Sequence, residues 1–195
     1  MGLFDKKYCD VCGEKIGLLG NRKLEDGNLC KDCAKKLSPF FSERRQSTVE
    51  EIKQQLAYRE ENERQLAGFN PTRTLGNDKK IYVDERSGRF IVSSMTNWRE
   101  DNPDLINLTQ VLSVNVDIKE DRDEIKYRDN ENNLRSYNPP RYKYEYRFDV
   151  EINVDSPYFN LIKFELTKFG RRPESRFTNE YREYERQADE IKRIL

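Results

Sequence analysis

The sequence predicts a mainly β protein of the α+β class, and three observations support this. All four cysteines lie near the N-terminus, as two Cys-x-x-Cys pairs. Hydrophobic residues then follow a helical period, which changes to a period of two residues from about Lys79. The tail from Glu174 returns to helical spacing. We therefore divide the chain into a cysteine module (1–46), a linker helix with its loop (47–78) and a β domain with a C-terminal helix (79–195).

Composition limits the classes of function. Of the 195 residues, 37% are charged and 35% are hydrophobic, and 36 basic residues balance 36 acidic ones. Because 11% of the residues are aromatic, the chain can bury a modest core beneath a highly charged surface. A net charge of zero argues against generic attraction to nucleic acid or to an anionic membrane, and leaves room only for a local basic patch.

Sequence features also bear on location. The chain has no run of about 18 consecutive apolar residues, which a membrane-spanning helix requires. The first residues, MGLFDKKYCD, lack the apolar segment of a signal peptide. We therefore expect a cytoplasmic protein, in which a reducing environment keeps the cysteines as thiols rather than disulfides.

The two cysteine pairs have the spacing of a zinc site, with 17 residues between Cys12 and Cys30. Each tight turn aims two sulfurs at one point, and two such turns give the tetrahedral thiolate set that Zn²⁺ prefers. Gly13 suits the first turn, because glycine adopts positive φ without strain. Four cysteines also fill the coordination shell, which argues against a catalytic zinc. We predict one structural Zn²⁺ per chain, with Cys9, Cys12, Cys30 and Cys33 as its ligands.

Two other uses of these cysteines stay open. An iron site of rubredoxin or iron–sulfur type takes the same ligands. A redox Cys-x-x-Cys is the other, although such a motif normally accompanies a βαβ pattern. A segment of about 40 residues with few apolar side chains depends on its metal to fold.

The chain between the cysteine pairs predicts a hairpin. Ile16, Leu18 and Leu19 would form its apolar first arm, and residues 25–27 its turn. The second pair then begins a short helix that ends before Pro39. A knuckle, a hairpin and a short helix in this order indicate a treble-clef or zinc-ribbon module.

A second helix follows the module. Thr48 and Glu51 have the spacing of a capping box, and Ser47 with Glu50 is a second candidate pair. Gly68 and Pro71 end the pattern. Its apolar stripe is thin, so we expect a largely solvated helix that connects two domains or packs by a narrow face. The alternative is a helix that binds a partner or dimerises. The stripe comprises Val49, Ile52, Leu56, Glu63 and Leu66.

The β domain shows about seven antiparallel strands before the final helix. A turn at residues 85–88 separates the first two strands. Aromatic and then β-branched residues alternate with polar ones from Tyr142 to Val154, which predicts a strand with one face in the core. Seven strands followed by an amphipathic helix match the order of a pleckstrin-homology-like barrel, and a β-sandwich covered by a helix is the alternative. The predicted helix stripe comprises Phe177, Tyr181, Tyr184, Ala188, Ile191 and Leu195.

Two polar segments resemble ion sites weakly. Residues 129–133 begin like a calcium loop but lack its glycine and its final glutamate, so we predict a hairpin turn. Residues 117–124 mix acids with bases, and we expect a solvated loop rather than a divalent-ion site.

The absence of histidine removes the commonest general base and the usual nucleophile pairs, and the chain has no phosphate-binding glycine motif. We therefore predict a protein that is not an enzyme, has no small-molecule substrate and binds a protein partner. The alternative is nucleic-acid binding through the basic residues at 21–23, 35–36 and 44–45. A weaker third hypothesis is membrane-surface binding through Lys79, Lys80, Arg86 and Arg89.

The segments CDVCGEKIGLLGNRKLEDGNLCKDCAKKL, STVEEIKQQLAYREENE, FNPTRTLG and SYNPPRYKYEYRFDVEI resemble a bacterial family of unknown function, common in Gram-positive genomes. Its members carry a four-cysteine zinc-finger-like domain ahead of a β-rich region that is often described as pleckstrin-homology-like. The resemblance implies that Cys9, Cys12, Cys30 and Cys33 are ligands, and it implies no activity.

Overall fold

A computed structural model describes residues 7–195 and has a mixed α+β fold with more strand than helix. Residues 1–6 lie outside the described residues. They are the start of the predicted cysteine module and make up most of the segment that was predicted not to be a signal peptide. The strands are β1 (Arg22–Lys23), β2 (Asn28–Leu29), β3 (Arg73–Gly76), β4 (Lys80–Asp84), β5 (Arg89–Ser93), β6 (Ile106–Asn107), β7 (Val111–Arg128), β8 (Leu134–Val154) and β9 (Leu161–Glu165). The α-helices are α1 (Lys31–Lys35), α2 (Val49–Leu66) and α3 (Asn179–Ile194).

Strands β3 to β9 form two antiparallel sheets, β3-β4-β5-β6 and β7-β8-β9. Both sheets are open, since no ladder joins them within residues 73–165. Seven strands were predicted here, but the members differ. β3 and β6 are too short and too polar to show the alternation, and β7 and β8 form one long pair that extends to the turn at residues 129–133.

The main core lies between the two sheets and α3. Phe148 is fully buried, and its ring lies 5.2 Å from that of Tyr181 on α3. The predicted helix stripe is confirmed for Tyr181, Tyr184, Ala188 and Ile191, which are all buried. Phe177 is 86% exposed because it precedes the N-cap of α3 and so does not share the helical face.

α2 does not stand free in solvent as a linker. At its N-terminal end, Ile52 is buried among the apolar residues of the cysteine module. At its C-terminal end, Leu66 packs with Phe69 and Trp98 against the outer face of the first sheet. A buried stripe of Ile52, Gln55, Arg59, Asn62 and Leu66 runs between these ends. The sequence pattern predicted the two end positions, Ile52 and Leu66, but missed the three middle positions because they are polar.

The capping box of α2 is confirmed. The Thr48 hydroxyl accepts from the Glu51 N–H at 3.3 Å, and the Glu51 carboxylate accepts from the Thr48 N–H at 2.7 Å. We expect Thr48→Ala to lower the free energy of unfolding by about 1 kcal/mol, since it leaves an N-terminal amide unpaired. Thr96→Ala, at an exposed bend, is the matched control. Equal urea midpoints for the two variants would contradict the role of this cap.

The outer half of the β7–β8 pair is an exposed two-stranded ribbon, with exposed or half-buried side chains from residue 117 to residue 144. The segment 117–124 was expected to be a loop but belongs to β7, where cross-strand pairing overrides its low strand propensity. Tyr142 and Tyr144 were expected in the core and are half-buried instead. They lie on the part of β8 that is not flanked by β9, because β9 pairs with β8 only at residues 149–153. The turn at 129–133 is confirmed, with Asn132 at φ 66°.

Candidate metal centre

The fold brings all four cysteine sulfurs together. The four Sγ atoms lie within 4.8 Å of one another, and Cys12 Sγ is 3.8 Å from Cys30 Sγ. A disulfide needs about 2.05 Å, so these are free thiols. Zinc–sulfur bonds of about 2.3 Å in a tetrahedron separate the sulfurs by about 3.8 Å. The donor set and its dimensions therefore fit a tetrathiolate metal site.

The first knuckle is shaped by its backbone. The Gly13 N–H donates to the Cys9 carbonyl at 2.8 Å, and the Cys9 N–H donates to the Glu14 carbonyl at 2.9 Å. Gly13 has φ +77°, the left-handed conformation that the sequence predicted for this position. Together these contacts close a turn that points the side chains of Cys9 and Cys12 to the same side.

The second pair sits at the start of α1. Cys30 is the N-cap of that helix, and its Sγ accepts from the Cys33 N–H at 3.3 Å. The Cys30 N–H donates to Cys9 Sγ, also at 3.3 Å, which ties the two knuckles together. Amide donors of this kind stabilise thiolates, so the backbone favours the ionised form that binds metal.

The hairpin between the pairs differs from the prediction. Its strands are β1 and β2, whereas Leu18 and Leu19, the predicted apolar arm, are 93% and 87% exposed. Ile16, the third residue of the predicted arm, is buried as expected and packs with Leu24 and Leu29 in the core of the module. Sequence reasoning assigned the leucines inward because apolar residues are usually buried.

The thiols affect one another. Burial raises the pKa of Cys9, but amide donors from Cys12, Cys30 and Val11 outweigh it and lower that pKa to about 7. Burial and the neighbouring sulfurs raise the pKa of Cys33 strongly. Four thiolates therefore cannot persist side by side without a cation, which a divalent metal would supply. Cys12 is the one exposed member of the cluster.

A groove of about 660 Å³ opens beside the cluster. Cys12 and Cys33 line it on the module side, Leu56 and Ala57 of α2 give it apolar lining, and residues 100–102 complete it. It also carries charged groups of both signs, namely Lys35, Lys36, Lys53, Glu60, Glu63, Glu100 and Asp101. No sequence pattern predicts this groove, because its walls come from three separate segments of the chain.

A buried polar network fixes these walls. Arg59 on α2 donates to the Asp104 carboxylate at 2.6 Å and to the Lys36 carbonyl at 3.2 Å. Asp104 also accepts from the Ser38 hydroxyl at 2.7 Å. Burial raises the pKa of Asp104, and the Arg59 guanidinium opposes that rise. The network thus joins the cysteine module, α2 and the loop before β6.

Asn62 extends the network by one helical turn. Its amide donates to the Asn102 side chain at 2.6 Å and to the Pro103 carbonyl at 2.8 Å, and its oxygen accepts from the Leu105 N–H at 2.8 Å. Every polar atom of this buried amide is therefore paired. Arg59 and Asn62 were not recognised in the sequence, where they looked like two of many polar residues on a solvated helix.

The basic residues of the module separate into two groups. Arg22, Arg44 and Arg45 together line two adjoining hollows, whereas Lys36 lies in the groove. The residues of the third hypothesis do not share one loop. Lys79 and Lys80 lie at the start of β4, and Arg86 and Arg89 lie beyond its other end. Membrane binding through these four residues stays a prediction, and they lie at opposite ends of β4.

Among the described residues, no helix combines the length and the apolar character that crossing a bilayer requires.

Comparison with known proteins points to the module alone. The sequence model of a domain of unknown function, DUF4428, matches residues 7–55. No protein with a curated description and no solved structure is similar to the chain at a significant level. The matched range holds all four cysteines and the first turns of α2. The match and the cysteine cluster together fit a zinc-finger-like N-terminal module.

Proposed function

We propose that the protein is a cytoplasmic binding protein without catalytic activity, in which Cys9, Cys12, Cys30 and Cys33 hold one structural Zn²⁺. The zinc module would build one wall of a groove that binds a segment of a partner protein. The observation that supports this is the groove itself, whose walls are held by a buried and fully connected polar network. A thiol cluster of this kind also suits a reducing compartment.

Charges distributed along the groove favour a protein segment as its ligand. Lys35, Lys36 and Lys53 lie at the module end. The carboxylates of Glu60 and Glu63 follow about 10 Å further along α2. Leu56 and Ala57 lie between the two charged groups and offer apolar contact. A segment with an acidic end, an apolar middle and a basic end would match this pattern.

Non-enzymatic character is supported by chemistry rather than by the groove. The chain contains no histidine, so the commonest acid–base group is missing. The four thiols would be committed to the metal, which leaves none to act as a nucleophile.

We further propose that residues 73–195 have a pleckstrin-homology-like architecture. A four-stranded sheet, a three-stranded sheet and a C-terminal helix in this chain order support it, as does the position of α3 against the core between the sheets. Such a likeness concerns the fold and carries no ligand with it.

Photo-crosslinking in the native host tests the groove. A photoreactive amino acid at the exposed Ala57 should give adducts with one or a few proteins, whereas the same residue at exposed Glu185 on α3 should not. Glu60→Lys with Glu63→Lys should reduce the Ala57 adducts at least tenfold, because it reverses the charge at one end of the groove. Glu180→Lys with a second reversal on α3, at Glu183, is the matched control. Identical adducts from positions 57 and 185, or none from 57, would refute the proposal.

A further inference from the structure

We propose that the cysteine module also docks on the surface of an anionic membrane, through a leucine tip (Leu18 and Leu19) and an arginine cluster (Arg22, Arg44 and Arg45). This surface adjoins the groove at Lys35, which lines both, and the proposal does not depend on the proposed protein partner. Its ligand would be phosphate-bearing lipid headgroups, with the leucines entering the layer beneath them.

The leucine tip is built by a tight turn. The Gly20 N–H donates to the Gly17 carbonyl at 3.0 Å, so Leu18 and Leu19 occupy the two central positions of a four-residue turn. Leu18 is 93% exposed and Leu19 is 87% exposed. Single exposed leucines are ordinary, but two adjacent and almost fully exposed leucines at a turn tip form an apolar projection into solvent.

The arginine cluster lies directly beside this tip. The Arg22 guanidinium donates to the Leu19 carbonyl at 3.2 Å, and the Arg44 guanidinium donates to the Lys23 carbonyl at 2.8 Å. Arg22, Arg44 and Arg45 all line the same two adjoining hollows of the surface. The tip and the cluster are therefore parts of one face.

Charge at the cluster is unbalanced. Within residues 7–195, none of the three arginines has a carboxylate oxygen within 4.0 Å, whereas eight of the other 17 arginines do. Glu25 is the one acidic side chain that lines either hollow. Burial and the proximity of Arg45 and Arg22 lower the pKa of Arg44, as expected where like charges are held together. A bound anion would relieve this repulsion.

Lipid headgroups fit this face better than nucleic acid. The arginines alone would serve a phosphate backbone, and single-stranded nucleic acid would add stacking on exposed rings. The tip offers leucines instead, which gain nothing from a nucleic acid in water but are favourable beneath a headgroup layer. The composition of the chain did not predict this face, because its net charge is zero and the excess of positive charge is local.

Vesicle co-sedimentation of the full-length, zinc-loaded protein tests the proposal. Phosphatidylcholine vesicles are compared with vesicles that also contain phosphatidylglycerol, and binding is expected only to the latter. Arg22→Gln with Arg45→Gln should weaken binding about 25-fold, at about fivefold for each cation near the surface. Leu18→Ser with Leu19→Ser should weaken it about tenfold, through lost apolar burial. Leu112→Ser with Leu134→Ser, at positions 69% and 60% exposed in the β domain, is the matched control and should bind normally.

Three results would overturn the proposal. The first is equal binding, or none, to the two kinds of vesicle. The second is loss of vesicle binding in the arginine variant with full binding in the leucine variant, which would leave charge attraction without insertion. The third is no vesicle binding together with salt-sensitive binding of a single-stranded oligonucleotide that only the arginine variant loses. The altered side chains are exposed or half-buried, and unchanged zinc content together with an unchanged circular dichroism spectrum verifies that each variant is folded.

Discussion

Cys30→Ser is expected to unfold residues 8–37 and the first turns of α2, while the core between the two sheets stays folded. Cys30 connects the two cysteine knuckles with α1. It is the N-cap of α1, its N–H donates to Cys9 Sγ, and its Sγ lies 3.8 Å from Cys12 Sγ. The apolar core of the module is small, and three of its eight buried residues are the cysteines themselves. Binding of a structural zinc supplies about 10–16 kcal/mol, and without it such a module does not fold.

Hydrogen exchange read by mass spectrometry measures this result by segment. Amides in 8–37 should lose protection in Cys30→Ser, and amides in β8 and α3 should keep it, since none of the main core residues belongs to the module. Lys31→Ser, one position along on the exposed face of α1, should leave both segments protected. Uniform protection in Cys30→Ser, with unchanged metal content, would show that the cysteines are not a folding site.

Elemental analysis of protein purified without added metal identifies the ion. About one zinc per chain is expected. Iron would point to a rubredoxin-type site, and metal-free protein with reversible disulfides would make the cysteines a thiol switch.

The metal centre was the part of the protein most accessible to sequence reasoning. Cysteine spacing and Gly13 carry their information locally, because a knuckle is made by consecutive residues. The capping box at Thr48 and the buried face of α3 were accessible for the same reason. Each depends on neighbours within one or two helical turns.

Features made by distant segments were out of reach. The groove and the Arg59 network join residues that are more than 40 positions apart, and nothing in the sequence pairs them in advance. Burial of polar residues on α2 was missed because a stripe pattern counts only apolar side chains. For the leucine tip the error was the reverse, because two apolar residues predicted to be buried are exposed. The tight turn at Gly17–Gly20 overrides the general tendency of leucine to be buried.

Asp104→Ala is expected to lower the free energy of unfolding by about 3–5 kcal/mol, which is the cost of leaving a buried charge without its partner. The Arg59 side chain is 5% exposed and that of Asp104 is 0% exposed, so neither charge is solvated in the folded protein. Ser38 would lose its acceptor in the same step. Urea unfolding monitored by circular dichroism measures the change. Glu183→Ala, which breaks an exposed ion pair to Arg186, is the matched control and should have little effect.

A double replacement separates the net contribution of the ion pair to stability from the destabilisation caused by leaving one buried charge unpaired. Arg59→Met with Asp104→Leu removes both charges and fills much of the space, so it should be less destabilising than Asp104→Ala alone. If the double variant is as stable as the parent protein, the pair contributes specificity, by fixing the module and α2 against the loop at 102–105, rather than stability. If the double variant is the least stable of the three, the ion pair with its satellite hydrogen bonds is net stabilising. If the free energy of unfolding of Asp104→Ala is no lower than that of Glu183→Ala, solvent reaches Arg59. The inference that the buried network holds the wall of the groove rigid would then be wrong.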